Sequence, residues 1–311
     1  MAEICVADIN RRILEDAPRL ISETEDEYHA LVARVADEIK SRPSVRIALI
    51  AGPSGSGKTT TANLLSDALI ARGEECIVVS LDDFYRNAED PEYPRDSDGN
   101  RDFESVLALD IPMLKETLAC VAEEREFLVP RFDFKMAARS EIRAHAPMPG
   151  GCVIIEGLHA LNPLIFESLP AESVYKIFVS VSTNVNKDGV RILSGRKIRF
   201  LRRMIRDSIY RNADAARTLD MWRGVLVGED KYLYPNRKYA DVSFNTFHPF
   251  ELSVMRPFAE ALISEALAES DAYAYTVLSA IRCVQPISEE LVPDTSLIRE
   301  FIPGGKYEAL Y

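Results

Sequence analysis

The sequence predicts an α/β protein in which a parallel sheet carries helices on both faces. Three observations predict it. Apolar runs of strand length alternate with amphipathic stretches of helix length from residue 45 onward. The stretch Gly52-Pro53-Ser54-Gly55-Ser56-Gly57-Lys58-Thr59 fills every fixed position of the phosphate-loop pattern G-x-x-x-x-G-K-[ST]. It also sits where that pattern belongs. An apolar strand, Arg46 to Ala51, precedes it, and a helix with Ala62, Leu64, Leu65, Ala68, Leu69 and Ile70 on its apolar side follows. Together these define a P-loop NTPase fold.

Residues 1–42 read as a helical N-terminal extension. Tyr28, Leu31, Val32, Val35 and Ile39 recur at helical spacing, and Glu23, Glu25, Asp26 and Glu27 gather near its start, where acids suit the helix dipole. Ser41-Arg42-Pro43 ends it. The core, 43–268, begins with a strand over 45–51, a helix over 59–72 and a strand over 76–80. Residues 86–104 are polar, carry Pro91, Pro94 and Gly99, and read as a loop. A helix over 109–122 and a short strand at 127–129 lead into Pro130-Arg131-Phe132-Asp133-Phe134. A turn at 147–151 precedes the apolar strand Cys152 to Ile155, which ends in Glu156-Gly157. Then come a strand over 175–181, helices over 196–211 and 213–226, a strand over 240–244 and a closing helix over 252–267. The C-terminal extension, 269–311, reads as a strand over 273–281 and a Pro-punctuated tail.

Composition narrows the partners. A net charge of −12 argues against a general nucleic-acid binder, which carries a basic surface. Cys5, Cys76, Cys120, Cys152 and Cys283 are scattered, form no C-x-x-C pair and read as reduced residues of a cytoplasmic protein. Met1 to Arg12 lacks an apolar h-region, and no run of 18 apolar residues exists, so neither a signal peptide nor a membrane span is expected. The expected partner is a small molecule, with contacts between copies of the chain left open.

The phosphate loop implies a nucleoside triphosphate. Glycines let backbone amides approach phosphate oxygens, and the next helix aims its positive end at them. The expected contacts are Gly52, Ser54, Gly55, Ser56, Gly57, Lys58, Thr59 and Thr60, with Lys58 reaching the β- and γ-phosphates and the Thr59 hydroxyl on Mg²⁺. Asp82-Asp83 leaves the C-terminal end of a strand beside the loop's strand, where a carboxylate can orient an attacking hydroxyl and take its proton. The same pair also suits a turn cap. Glu156 ends a buried strand, the place of an acid serving Mg²⁺ and its waters. Arg199, Arg203 and Arg206 fall at i, i+4, i+7 with Arg202 close by, while Ile198, Leu201 and Ile205 form the opposite face. Such a stripe is either a lid over triphosphate or a solvated face. His159, three residues past Glu156, is placed to face the same site, and Trp222, Tyr232 and Tyr234 read as packing or lid residues.

The motifs Gly52 to Thr59, Asp82 to Arg86, Phe132-Asp133-Phe134, Glu156-Gly157, Arg202 to Asp207 and Lys238 to Asp241 occur in the order seen in uridine kinases. Over roughly 45–265 the chain resembles the uridine kinase and phosphoribulokinase group of P-loop kinases. The tail Asp294 to Ile302 looks like the ending of bacterial uridine-kinase-like nucleoside kinases. The resemblance implies Mg²⁺-dependent phosphorylation of a nucleoside 5′-hydroxyl by ATP or GTP. It implies Asp82 as base, Arg203 and Arg206 as lid arginines, and an acceptor site drawn from Asp83, Tyr85, Glu104, Phe132, Asp133, Arg139 and His159. Glu104 matches an aspartate that holds ribose hydroxyls. Phe132 and Ala137 stand where the group carries a tyrosine and a histidine that help recognise the pyrimidine, and Ser105-Val106 replaces a His-Pro pair. Two alternatives follow. One is a kinase of a sugar phosphate or polyol, served by Arg131, Lys135 and Arg139 on the acceptor side. The other is a nucleotide-binding switch without an acceptor.

Overall fold

The computed structural model describes residues 2–96, 98–134 and 136–310. The chain opens with a short strand, β1 (Ala2–Cys5), and a long helical stretch, α1 (Val6–Lys40). The helical expectation for 1–42 therefore holds apart from the first strand and one break. Asp16 leaves helical geometry at φ −167°, ψ 88° two residues before Pro18, and its carboxylate accepts from the Arg19 amide at 3.0 Å, capping the second segment.

The phosphate loop joins β2 (Ile47–Ala51) to α2 (Lys58–Ile70), and β3 (Cys76–Ser80) follows. After the loop and α3 (Ile111–Ala122) come two antiparallel strands, β4 (Phe127–Asp133) and β5 (Ala138–His145). The short strand expected at 127–129 is thus one arm of a hairpin. The central sheet resumes with β6 (Cys152–Glu156), the one-turn α4 (Pro163–Phe166) and β7 (Val174–Ser180). Next come β8 (Thr183–Lys187) and β9 (Val190–Leu193), which form a small sheet with β1 in the order β1-β8-β9. The chain continues through α5 (Gly195–Arg211), α6 (Ala215–Gly228) and β10 (Val242–Asn245), then α7 (Glu251–Leu262), α8 (Glu265–Ser270) and α9 (Ala272–Ile281).

Two expectations are corrected here. The closing helix breaks at Ile263, which takes an extended conformation, and Ser264 caps α8. The strand expected over 273–281 is helix α9. Asp271 caps it by accepting from the Tyr273 and Ala274 amides at 2.7 and 3.1 Å, and its buried residues Ala274, Val277, Leu278 and Ile281 follow a 3.6-residue period.

The five-stranded sheet has the order β10-β7-β2-β6-β3 and is parallel throughout. Strand alternation divides the interior into two cores. Ala48, Ile50, Ile154 and Ile177 point into one, with residues of α1, α2, α5, α7, α9 and the tail. Ile47, Leu49, Val153 and Ile155 point into the other, beneath α3 and the hairpin. Val32 and Val35 from the N-terminal flank and Leu297, Ile298 and Phe301 from the tail belong to the first core. All five strands end on the side where the phosphate loop, the Asp82 turn and Glu156 emerge. That edge is where ligands bind in open α/β sheets.

Candidate active site

The loop has the backbone its pattern requires. Gly55 and Gly57 take φ of +71° and +88°, and a Cβ would lie 2.6 Å from the Arg199 carbonyl oxygen at Gly55 and 2.7 Å from Leu297 Cδ1 at Gly57. Two buried acids hold it. Glu229 accepts from the Ser54 amide at 3.0 Å and pairs bidentately with Arg199 at 2.7 and 2.8 Å. Arg199 also donates to the Ser54 carbonyl at 2.9 Å. Glu300 accepts from the Thr60 amide and hydroxyl at 3.3 and 3.0 Å. The Ser56 carbonyl accepts from Thr246 at 2.7 Å, while its buried hydroxyl has no hydrogen-bond partner among the described residues. Lys58 leans back to the Pro53 carbonyl at 3.4 Å.

The expected acid positions converge. Asp82 lies in the 3₁₀ turn Leu81–Phe84 directly after β3, with its amide bonded to Ser80 Oγ. Its side chain is exposed. Desolvation by surrounding protein raises its carboxyl, and Lys58, Arg211 and Arg206 pull it back toward ionisation. Glu156 closes β6 and is buried. Burial lifts it to about 7 against the pull of Lys58, and Ser80 Oγ donates to its carboxylate at 2.8 Å. An acid raised by burial ionises readily once a divalent cation arrives. Glu156 and the Thr59 hydroxyl are hard oxygen donors of the kind Mg²⁺ takes. Mg²⁺ uses one or two protein oxygens and completes its shell with water and phosphate.

The arginine helix α5 differs from the expected amphipathic stripe. Arg199 and Arg202 are buried, at 1% and 0% exposure, so charge lies on the inner side as well. Arg202 pairs with Glu251 at 2.9 Å and donates to the Thr246 carbonyl at 2.6 Å. Arg199 and Arg202 are therefore struts of the loop. Arg203 and Arg206 converge on Asp207, at 3.1 and 2.8 Å, and Arg203 also donates to Ser54 Oγ at 2.9 Å. Arg211 joins them, 3.5 Å from Asp207. Burial and mutual repulsion lower the pKa of Arg203 and Arg211. The resulting patch of positive charge faces Asp82.

The acceptor-side candidates divide. Tyr85, Phe132 and Phe134 pack ring to ring at 5.1–6.0 Å, and Tyr85 Oη donates to the Phe103 carbonyl at 3.2 Å. Glu104 is lifted to about 7, first by burial and further by Glu229, Asp102 and Asp82, with Arg203 opposing. His159 is buried, and neither ring nitrogen has an aligned hydrogen-bond partner among the described residues. Burial drops its pKa to about 4, held up slightly by the nearby Glu104 backbone, so the ring is neutral. Its ring lies 6.2 Å from that of Tyr232, whose hydroxyl donates to Asp102 at 2.5 Å. Three other candidates serve the hairpin. Asp83 accepts from the Phe132 amide at 3.2 Å, Asp133 accepts from the Met136 amide at 3.1 Å, and Arg139 pairs with Asp110 at 3.0 Å. Lys135 lies outside the described residues. Trp222 is a core residue, packed on Phe200 and donating to Tyr273.

Sequence reading missed Glu229, Glu300, Arg211 and Asp102. Arg211 and Asp102 left a trace, since Arg211 lies four residues beyond Asp207 on the same helix and Asp102 lies two residues before Glu104. The others come from distant segments that only folding brings near.

A phosphate loop between a central strand and its helix, with acids at the ends of the neighbouring strand β6 and of β3 beyond it and an arginine helix alongside, defines a P-loop phosphotransferase. The comparisons place it further. Residues 47–252 match the model of the Phosphoribulokinase / Uridine kinase family, and the chain belongs to that family. It is 28% identical to a uridine kinase of Deinococcus deserti over 194 residues, 62% of this chain and 84% of that one. A uridine kinase of Lactobacillus johnsonii is 27% identical over 62% of this chain and 82% of its own. A solved structure described as a possible uridine kinase from Bacillus stearothermophilus aligns with a TM-score of 0.42 at 20% identity, over 64% of this chain and 88% of that one. The family phosphorylates small-molecule hydroxyls.

Proposed function

We propose that this protein transfers the γ-phosphoryl group of ATP, with GTP as the alternative donor, to the 5′-hydroxyl of a nucleoside in the cytoplasm. One observation carries the reading. Asp82 stands directly after β3 in the field of Lys58, Arg206 and Arg211, three residues from Tyr85, whose ring packs on that of Phe132. In this reading Asp82 aligns the acceptor hydroxyl and receives its proton as the new P–O bond forms and the bond to the leaving diphosphate breaks. Lys58, Arg203 and Arg206 hold charge that spreads onto the phosphoryl oxygens and the leaving group. Thr59 and Glu156 would hold Mg²⁺, which when bound neutralises the β- and γ-phosphates. Catalysis of this kind is mostly positioning, and it suits a site whose side chains are already anchored.

On the acceptor side, this reading gives the ribose hydroxyls to Glu104 and the base or sugar edge to His159. Ala137 offers a methyl group at a turn position with φ +49°, where the group's histidine would hydrogen-bond a pyrimidine. Base selection therefore falls to the aromatic wall and His159. The sugar-phosphate alternative is weaker because Asp110 already neutralises Arg139. The test is a screen of nucleosides, pentoses, sugar phosphates and polyols with Mg²⁺–ATP, reading the product by mass spectrometry. A nucleoside monophosphate formed by the wild type and lost in Asp82→Asn supports the proposal. Product from a non-nucleoside acceptor alone sinks the nucleoside assignment.

A further inference from the structure

A helix N-terminus preceded by a phosphate loop favours anions, because its first amides have no partner within the helix and its dipole is positive there. In this protein an anion is already supplied by the chain itself. Glu300, 240 residues downstream of Thr60, accepts from both the Thr60 amide and the Thr60 hydroxyl. It comes from the 3₁₀ turn Leu297–Glu300, and that turn is seated on the loop, with Leu297 against Gly57. Leu297, Ile298 and Phe301 are fully buried, so the turn is anchored while the Glu300 side chain keeps three rotatable bonds.

The two acids that touch the loop are held differently. Glu229 is locked by two hydrogen bonds to buried Arg199, which makes it a strut. Glu300 has no such lock. The Arg206 guanidinium stands 3.9 Å from its carboxylate, beyond hydrogen-bonding distance. A phosphate oxygen and a carboxylate cannot share one amide, since two anions at that range repel.

We propose that Glu300 is a built-in competitor for the nucleotide's phosphates. At rest its carboxylate takes the Thr60 amide, and an arriving phosphate displaces it, so the C-terminal segment sets nucleotide affinity. The proposal rests on the reading that loop 52–59 binds a nucleoside triphosphate.

Calorimetric titration of the full chain with Mg²⁺–ATP, Mg²⁺–ADP and adenosine tests it. Glu300→Gln keeps an acceptor oxygen for Thr60 and removes the charge. The expected result is about tenfold tighter binding of ATP and ADP, ~1.4 kcal/mol, with adenosine affinity unchanged. Leu297→Ala, which loosens the seat without touching the carboxylate, tightens both nucleotides by a smaller factor, and it decides the matter if Glu300→Gln does not fold. Unchanged or weaker ATP binding in these variants overturns the proposal and makes Glu300 a strut. If Lys58→Ala abolishes ATP binding at the same time, the phosphate-loop reading survives that failure. Absence of ATP binding in the wild type and both tail variants overturns the loop reading and the competitor together.

Discussion

The Arg199–Glu229 pair offers a prediction whose size follows from its surroundings. Both side chains are buried, at 1% and 0% exposure, and the pair brackets Ser54 by accepting from its amide and donating to its carbonyl. Glu229→Leu leaves the guanidinium buried without its counter-charge, a loss of about 3–5 kcal/mol for a pair of this kind. At about 2.1 cal/mol/K per residue, 311 residues give an unfolding entropy of about 0.65 kcal/mol/K. The apparent Tm should therefore fall by about 5–8 °C. Replacing both partners by apolar groups removes the stranded charge, so Arg199→Met/Glu229→Leu should regain most of the loss. Differential scanning calorimetry of the two single variants and the double variant completes the cycle. A shift under about 1 °C in Glu229→Leu, or a double variant as unstable as the two losses added, would show that the pair is not the strut described here.

Three further outcomes are expected. Asp82→Asn should lower kcat by about 10²–10⁴ while ATP affinity stays within about threefold, read by steady-state kinetics and calorimetry; undiminished turnover removes Asp82 from the role of base. His159→Phe should raise KM for the acceptor and leave ATP affinity alone, since the buried ring nitrogens lie on the acceptor side; an unchanged KM makes the histidine a core residue. Burial raises Glu25, Glu104, Glu156 and Glu251 each to about 7, so between pH 4.5 and 7 the folded state binds more protons than the unfolded one. Stability from these groups is then fully present below about pH 4.5 and declines as pH rises to 7. Glu25→Gln should flatten that decline in a Tm-against-pH series, and an identical slope contradicts the assignment for Glu25.

Local pattern carried the central elements. The phosphate loop is legible because its chemistry needs small residues and fixed spacing within eight positions. β2, β3, β6 and β7 are legible because strands of a parallel sheet covered by helices are apolar over most of their length. Asp82 and Glu156 stand out as acids directly after such runs. Local pattern failed where neighbours in space set the environment. The acids at 23–27 read as gathered at a helix start, yet the helix begins at Val6 with a break at Asp16, and Glu25 is buried, accepting a hydrogen bond from Ser296 at 2.5 Å. The strand expected at 273–281 is α9, because an apolar run of that length fits either state until its packing partners are known.

By itself, then, the sequence determined the parallel α/β core, the phosphate loop and the ends of the strands that bear acids, because each leaves its mark in the pattern of a few consecutive residues. Only the tertiary structure decided which arginines brace the loop and which gather on Asp207, since one helix presents Arg199 and Arg202 to buried Glu229 and Glu251 and Arg203 and Arg206 to Asp207. It alone set Glu300 on Thr60, because nothing local links residues 240 positions apart. That contact arises from burial of Leu297, Ile298 and Phe301 in the same core as α1 and α2.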